Sequence, residues 1–258
     1  MTSVDWNTTQ YTAYRSLRLQ PALDLLARVP SLPQGDVIDL GCGTGVAAAD
    51  LQTRFPGRKL IGVEQSETMI GKAIQTGLYH RLDQADIALW SPHDRPALIF
   101  SNAVLHWLPD HSALFARLVQ MLAPRGVLAV QMPRQFMAPS HHLLRDLAQQ
   151  MFPDRFNFDY WSPPVATPDI YMSMLSELGA TQIWETEYYQ RLVPVTAGHP
   201  VRHFTQSTAM RPILAKLSDA ETAQFISHYD AALIAQYPRQ SDGGVVFPFR
   251  RLFMVVAS

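Results

Sequence analysis

Cysteine is nearly absent from this chain of 258 residues, which has Cys42 alone. One thiol excludes an intramolecular disulfide and a structural zinc site built on cysteines. A surplus of charge of either sign is also missing: 21 Lys+Arg stand against 22 Asp+Glu, a formal net charge of -1. That balance argues against a sequence-independent nucleic-acid binder, which needs extra basic side chains to displace counterions. No apolar run approaches the roughly 18 residues of a membrane helix. The first residues, Met1-Thr2-Ser3-Val4-Asp5-Trp6, lack the charged-then-apolar pattern of a secretory signal. No internal repeat or biased tract is visible. Hydrophobic residues reach 47% against 17% charged, ample for a packed core and incompatible with a disordered chain. The expectation is a cytoplasmic protein, monomeric by default, with neither nucleic acid nor membrane as partner.

What is present is alternation. Apolar residues recur at helical spacing from Leu17 to Val29, then Val37-Ile38-Asp39-Leu40 reads as a buried strand stopping at glycines. A helix from Val46 to Phe55 precedes a strand at Leu60-Ile61-Gly62-Val63, and Ser66 is placed to cap a helix over Glu67 to Gln75. A short strand is expected near Tyr79 to Leu82, a fourth at Ala97 to Phe100, a helix from Ser112 to Leu122 and a fifth strand at Val127 to Val130. Short apolar strands alternating with helices give βαβ units and a parallel sheet. With right-handed crossovers this is an α/β, doubly wound, Rossmann-like core over residues 1–132 with an N-terminal lid segment. Residues 133–258 read as cap insertions plus the final strands. In that half, a proline- and aromatic-rich stretch runs to about Pro168, and a helix covers Asp169 to Leu178. A strand from Gln182 to Val193 and helices over Val201–Leu217 and Ala220–Tyr237 precede a closing strand, Val245 to Val256.

The most informative segment is Asp39-Leu40-Gly41-Cys42-Gly43-Thr44-Gly45, which leaves a strand and opens a helix. Glycines permit a tight turn and close approach to a ligand, while a helix start offers unpaired N–H groups. A dinucleotide fingerprint requires G-x-G-x-x-G. Here the third glycine comes one residue early and Val46 stands in the sixth position, which weakens the nicotinamide reading. The pattern resembles instead the first motif of class I S-adenosylmethionine-dependent methyltransferases. That resemblance implies a cofactor set of Asp39, Gly41, Cys42, Gly43, Gly45, Glu64, Gln65, Met69, Asp86, Ile87 and Asn102. In it Glu64, ending the second strand, accepts from the ribose hydroxyls, and Asp86 with Ile87 meets the adenine.

Beyond the motif, the chain is similar to the trans-aconitate methyltransferase family along nearly its whole length. The likeness rests on Asp5-Trp6-Asn7 with Tyr11, Pro21-Ala22, Leu25 to Pro30, Trp107-Leu108-Pro109-Asp110-His111, Gly126 to Pro133, Tyr188-Tyr189, Arg211-Pro212 and Arg251-Leu252-Phe253. It implies methyl transfer from S-adenosylmethionine to a carboxylate of a small polycarboxylic acid, with S-adenosylhomocysteine as by-product. A carboxylate is already a deprotonated nucleophile, and arginine forks suit polycarboxylates. The expected acceptor contacts are Trp6, Tyr11, His106, Trp107, Tyr188, Arg211 and Arg251, with Arg18 joining Trp6 and Tyr11 on the lid.

Departures from the family cluster around the acceptor. His106 replaces a usual glutamine, Gln20 a frequent arginine, and Ser207-Thr208-Ala209-Met210 a glycine-containing run, while Arg134-Gln135-Phe136 also differs. Two other readings follow. In the first the acceptor is another small carboxylate or a natural-product hydroxyl, and with a hydroxyl His106 becomes the candidate general base, since a hydroxyl must lose its proton. Alternatively the chain is a non-catalytic cofactor-binding module that presents Phe152 to Trp161 to a partner. No metal is expected: the nine histidines include no H-E-x-x-H, and His141-His142 are adjacent. The helix start beside Cys42 favours a lowered thiol pKa, without a nucleophilic role.

Overall fold

The computed structural model describes residues 15–258, with side chains from Leu19 onward. Trp6, Tyr11 and the side chain of Arg18 therefore lie outside the described residues. In chain order the elements begin with α1 (Arg15–Ala27), β1 (Val37–Leu40), α2 (Ala48–Arg54), β2 (Leu60–Glu64), α3 (Glu67–Gln75), β3 (Arg81–Gln84) and β4 (Leu98–Asn102). A 3-10 turn at Leu105–Trp107, α4 (His111–Met121) and β5 (Val127–Pro133) follow. The rest is α5 (Pro139–Met151), α6 (Pro168–Ser176), β6 (Ala180–Leu192), α7 (Pro200–Gln206), α8 (Arg211–Leu214), α9 (Asp219–Gln236) and β7 (Val245–Ala257). The strands form one sheet in the order β3-β2-β1-β4-β5-β7-β6. All pairings from β3 to β5 are parallel, and β7 runs antiparallel to β5, with Val127 opposite Ala257 and Pro133 opposite Arg251. The doubly wound fold with an antiparallel C-terminal strand is thus the fold that the alternation implies.

The chain divides into two compact units. The first runs through Pro133 and takes in Pro164–Thr186 and Arg251–Ser258; the second holds Arg134–Pro163 and Glu187–Arg250. In the first unit β1 is buried at all four positions, and β4 and β5 are nearly so, as strands covered on both faces must be. The strand order reverses direction between β1 and β4, the place where an open α/β sheet leaves a crevice at its carboxyl edge.

In the second unit α5 packs on α9. Tyr229 Oη donates to the Ser140 carbonyl at 2.7 Å, and the Ser140 N–H donates to Tyr237 Oη at 3.1 Å. Helix α5 corrects the expectation of an irregular stretch after Met132. Pro139 occupies the first turn, where a missing N–H is harmless, and Ser140, Leu144 and Ala148 form its buried stripe four residues apart. Within the aromatic segment Phe156 is buried, stacking at 6.2 Å on Phe158, whereas Tyr160 is exposed. The single helix expected over Val201–Leu217 is split into α7 and α8, because Pro212 is tolerated only in a first turn and so forces a new start. The third strand begins two residues late, at Arg81. Tyr79, expected within it, turns inward instead.

Candidate functional site

Three consecutive odd-numbered glycines build the turn after β1: Gly41, Gly43 and Gly45 have φ of 77°, 55° and 79°. The Gly41 and Cys42 N–H groups both donate to the Val63 carbonyl, at 2.8 and 3.0 Å, which ties the turn to the end of β2. A Cβ on Gly41 would run into Val104, so the turn lies directly against the segment leaving β4. A Cβ on Gly43 would meet only Met69 Sδ, at 3.8 Å. Gly43 therefore presents open backbone, the cradle that a closely approaching ligand requires.

Glu64 closes the second side. Its Oε2 accepts from the Gly43 N–H at 3.1 Å, and its Oε1 accepts from the N–H groups of Gln65 and Ser66, both at 2.9 Å. Ser66 caps α3 by accepting from the Met69 N–H at 3.4 Å, which fixes buried Met69 below the turn. Gln65 is exposed at the rim. The Ala85 N–H donates to the Glu64 carbonyl at 3.1 Å and brings the next loop alongside. There Asp86 is exposed, its Oδ1 accepting from the Ala88 N–H at 2.8 Å, and Ile87 is buried. Arg117 on α4 pins this loop by donating to the Ile87 and Trp90 carbonyls, each at 2.7 Å.

Beneath the turn lies a coupled pair that sequence reasoning missed in part. Asp39 is 3% exposed, and its Oδ2 accepts from Tyr79 Oη at 2.7 Å. The Tyr79 ring lies where a Cβ on Gly62 or Gly45 would fall. A glycine inside strand β2 was the available signal, since it marks close approach of another group. Burial raises the Asp39 carboxyl to about 6, against the Tyr79 hydrogen bond and with the charge of Glu64 adding to the rise. Cys42 is corrected: burial, then Asp39 and Glu64, push its thiol above the ordinary range, so the helix start does not activate it.

The sign at Asp39 gives a prediction. A carboxyl raised in the folded state stabilises it fully below the unfolded value of 3.8, and that contribution disappears as pH rises through about 6. That rise corresponds to about 3 kcal/mol. Asp39→Asn, which keeps an acceptor for Tyr79, is expected to raise the melting temperature by several degrees at about pH 7.5 and to change it little below about pH 4. Calorimetric melts at both pH values check this, and a lower melting temperature at pH 7.5 would contradict it.

A second polar cluster sits at the carboxyl ends of β4 and β5. Asn102 ends β4, and its Oδ1 is buried without a hydrogen-bond partner among the described residues. Ala103 follows with φ of 59°, a left-handed conformation that costs a side-chain-bearing residue about 1 kcal/mol or more. Its N–H donates to the Gln131 carbonyl at 2.9 Å. Arg251 is 4% exposed, with Nη1 donating to Gln131 Oε1 at 3.3 Å. His106 is buried at 8% exposure in the 3-10 turn, its ring 4.6 Å from that of half-exposed Trp107. Burial, then Arg251 and His111, lowers His106 to about 3. Arg117, Tyr79 and Gln131 were not foreseen, although a glutamine in the otherwise apolar run Val127 to Met132 was a visible signal.

Tyr188 and Arg211 belong to the second unit, where both are partly exposed and Arg211 opens α8. The missing glycine at Ser207 to Met210 carries no strain. Ser207 and Met210 both have φ of -78°, and the positive-φ non-glycine residues among those described are Ala103, Asp110 and Arg125. Gln20 is exposed and donates to Asp24 at 2.8 Å on its own helix. No group of three or more His, Cys, Asp or Glu is disposed for a metal among the described residues. No helix described is long and apolar enough to cross a membrane.

A glycine turn after β1, an acidic side chain ending β2, an aspartate after β3 and an unpaired amide oxygen ending β4 define a class I methyltransferase. The methyltransferase domain family matches residues 11–164. The chain is 40% identical over 253 residues to a trans-aconitate 2-methyltransferase of Escherichia coli O17:K52:H18, covering 97% of each chain. One from Shigella flexneri matches with the same identity and coverage. This chain belongs to the trans-aconitate 2-methyltransferase family. Among solved structures the fold is shared with the YcgJ protein from Bacillus subtilis, at TM-score 0.56 and 13% identity over 93% of this chain and 98% of that one. It is shared too with Haemonchus contortus phosphoethanolamine N-methyltransferase 2 in complex with S-adenosyl-L-methionine, at TM-score 0.51 and 16% identity, over 92% and 52%.

Proposed function

We propose that this protein transfers the methyl group of S-adenosylmethionine to a carboxylate of trans-aconitate, giving a monomethyl ester and S-adenosylhomocysteine. The relatives' shared name supports the acceptor, and one local observation carries the chemistry. His106, the one titratable side chain in the 3-10 turn after β4, is held neutral down to about pH 3 and is a poor general base. A carboxylate acceptor needs none.

The residues present fit the cofactor. The open backbone of Gly43 and the Glu64 carboxylate suit an adenosine ribose, Asp86 and Ile87 suit its base, and Asn102 Oδ1 suits an ammonium group. Asp39 adds negative potential below the turn, favourable to a sulfonium. When bound, S-adenosylmethionine supplies a methyl already activated for displacement. The protein's work is then to align an oxygen with that methyl at about 3–3.5 Å and to keep water away. Arg251 is proposed as a carboxylate clamp, with Trp107 as a further acceptor contact. Neutral His106 donates or accepts a hydrogen bond without charging. The cytoplasm is the proposed place of action, since a lone buried thiol suits a reducing compartment.

The test is mass spectrometry of the acid after incubation with S-adenosylmethionine, with one added methylene expected on trans-aconitate. For His106→Gln, kcat/KM is expected to stay within about tenfold, because one neutral hydrogen bond is exchanged for another. For both proteins kcat/KM should be flat from about pH 7 to 9, where His106 does not titrate and Asp39, raised to about 6, is ionised. A profile rising through the histidine range and abolished by the substitution would replace the carboxylate with a hydroxyl acceptor.

A further inference from the structure

Gln131 is wholly buried in β5, between Asn102 on β4 and Phe253 on β7, its partners in register. Apart from it, the strand from Val127 to Met132 is apolar. Residues two apart share a face of a strand, so Arg251 lies on the same face as Phe253, and hence as Gln131 and Asn102. The 3.3 Å bond from Arg251 Nη1 to Gln131 Oε1 agrees with that placement. The other end of the amide is different: Gln131 Nε2 is buried and has no hydrogen-bond partner among the described residues. An idle buried donor lowers stability relative to an apolar residue of equal length, and each such group in a folded protein needs an explanation. Asn102 Oδ1 is the second idle atom on this face, and it is an acceptor. Two idle atoms of opposite kind, one strand apart, suit two ligand groups of opposite charge.

We propose that Gln131 is a specificity-determining residue, its Nε2 donating to a carboxylate of the acceptor while its Oε1 holds the Arg251 guanidinium in position. The proposal rests on the carboxylate-acceptor reading above and adds the residue that reads the acid. Asn102 faces the cofactor's ammonium with an oxygen, and Gln131 faces the acceptor's anion with a nitrogen. A glutamate at 131 would keep the oxygen that Arg251 requires and replace the donor with a second negative charge.

The experiment uses the full chain with trans-aconitate and with dicarboxylic analogues that each lack one carboxylate. It reads methyl-ester formation, S-adenosylmethionine affinity by calorimetry, and melting temperature. Gln131→Glu is expected to melt at or above wild type, to bind S-adenosylmethionine within about twofold, and to raise the trans-aconitate KM by about thirtyfold or more. Gln131→Met removes both the donor and the acceptor that holds Arg251, so every acid is expected to lose kcat/KM, with trans-aconitate losing about tenfold more than the analogue that lacks the carboxylate Gln131 would grip. A glutamate variant with wild-type KM overturns the proposal, as does a methionine variant equally impaired on every acid. If the glutamate variant does not fold, the methionine comparison decides alone. Wild-type protein that forms no ester from any of these acids overturns the carboxylate reading itself, and the role of Gln131 with it.

Discussion

Arg251→Ala is expected to lower kcat/KM for trans-aconitate by about a hundredfold to a thousandfold, with S-adenosylmethionine affinity kept within about threefold. Arg251 is nearly buried in β7, bonded to Gln131 and within electrostatic reach of neutral His106. A guanidinium in so dry a place interacts with a carboxylate far more strongly than a surface arginine does. As the proposed clamp, its fork would also fix the acid's orientation, on which an in-line displacement depends. Arg251→Lys should therefore recover only about a tenth of the lost activity, because a point charge cannot hold a planar carboxylate by two bonds. A separate readout guards against misfolding: trans-aconitate should raise the melting temperature of wild type and leave that of the alanine variant unchanged. An alanine variant with wild-type KM would remove Arg251 from the acceptor site.

Gly43→Val is expected to weaken S-adenosylmethionine binding by about a hundredfold, at a cost of a few degrees in melting temperature. Gly43 sits at φ of 55°, a region that a β-branched residue occupies only under strain. Within 4 Å of a Cβ at this position lies only Met69 Sδ, at 3.8 Å, so the added carbons branch from an unobstructed point. What they obstruct is the open backbone beside Glu64. Gly41→Ala makes the contrast: there a Cβ overlaps Val104, and the expected loss is in folding more than in binding. Isothermal calorimetry and thermal melts on the two variants separate these effects. If Gly43→Val bound the cofactor as wild type does, the turn would not be the cradle.

The turn itself was readable because its demands are local. Positive φ calls for glycine, a capped α3 calls for Ser66, and both are written in consecutive residues. Helix α5 was not legible, since its polar residues, His141, His142, Arg145 and Asp146, hide a stripe whose partner is α9, about eighty residues on. The proposed acceptor residues were legible only as far as residue types allow. Arg251 and His106 were picked out, but whether His106 is a base depended on burial and on neighbours that no local pattern contains.

The sequence by itself determined the alternation of strands and helices, the glycine turn and the acidic residues that follow successive strands. These are consequences of backbone periodicity and of conformations that only certain residues adopt. Tertiary structure alone decided that Tyr79 reaches Asp39 across 40 residues and that Arg251 reaches Gln131 across 120. Those contacts exist because strand register, set by the packing of the whole sheet, brings side chains together that the chain holds far apart. The same packing dries the site, which holds His106 neutral and Asp39 near the edge of ionisation.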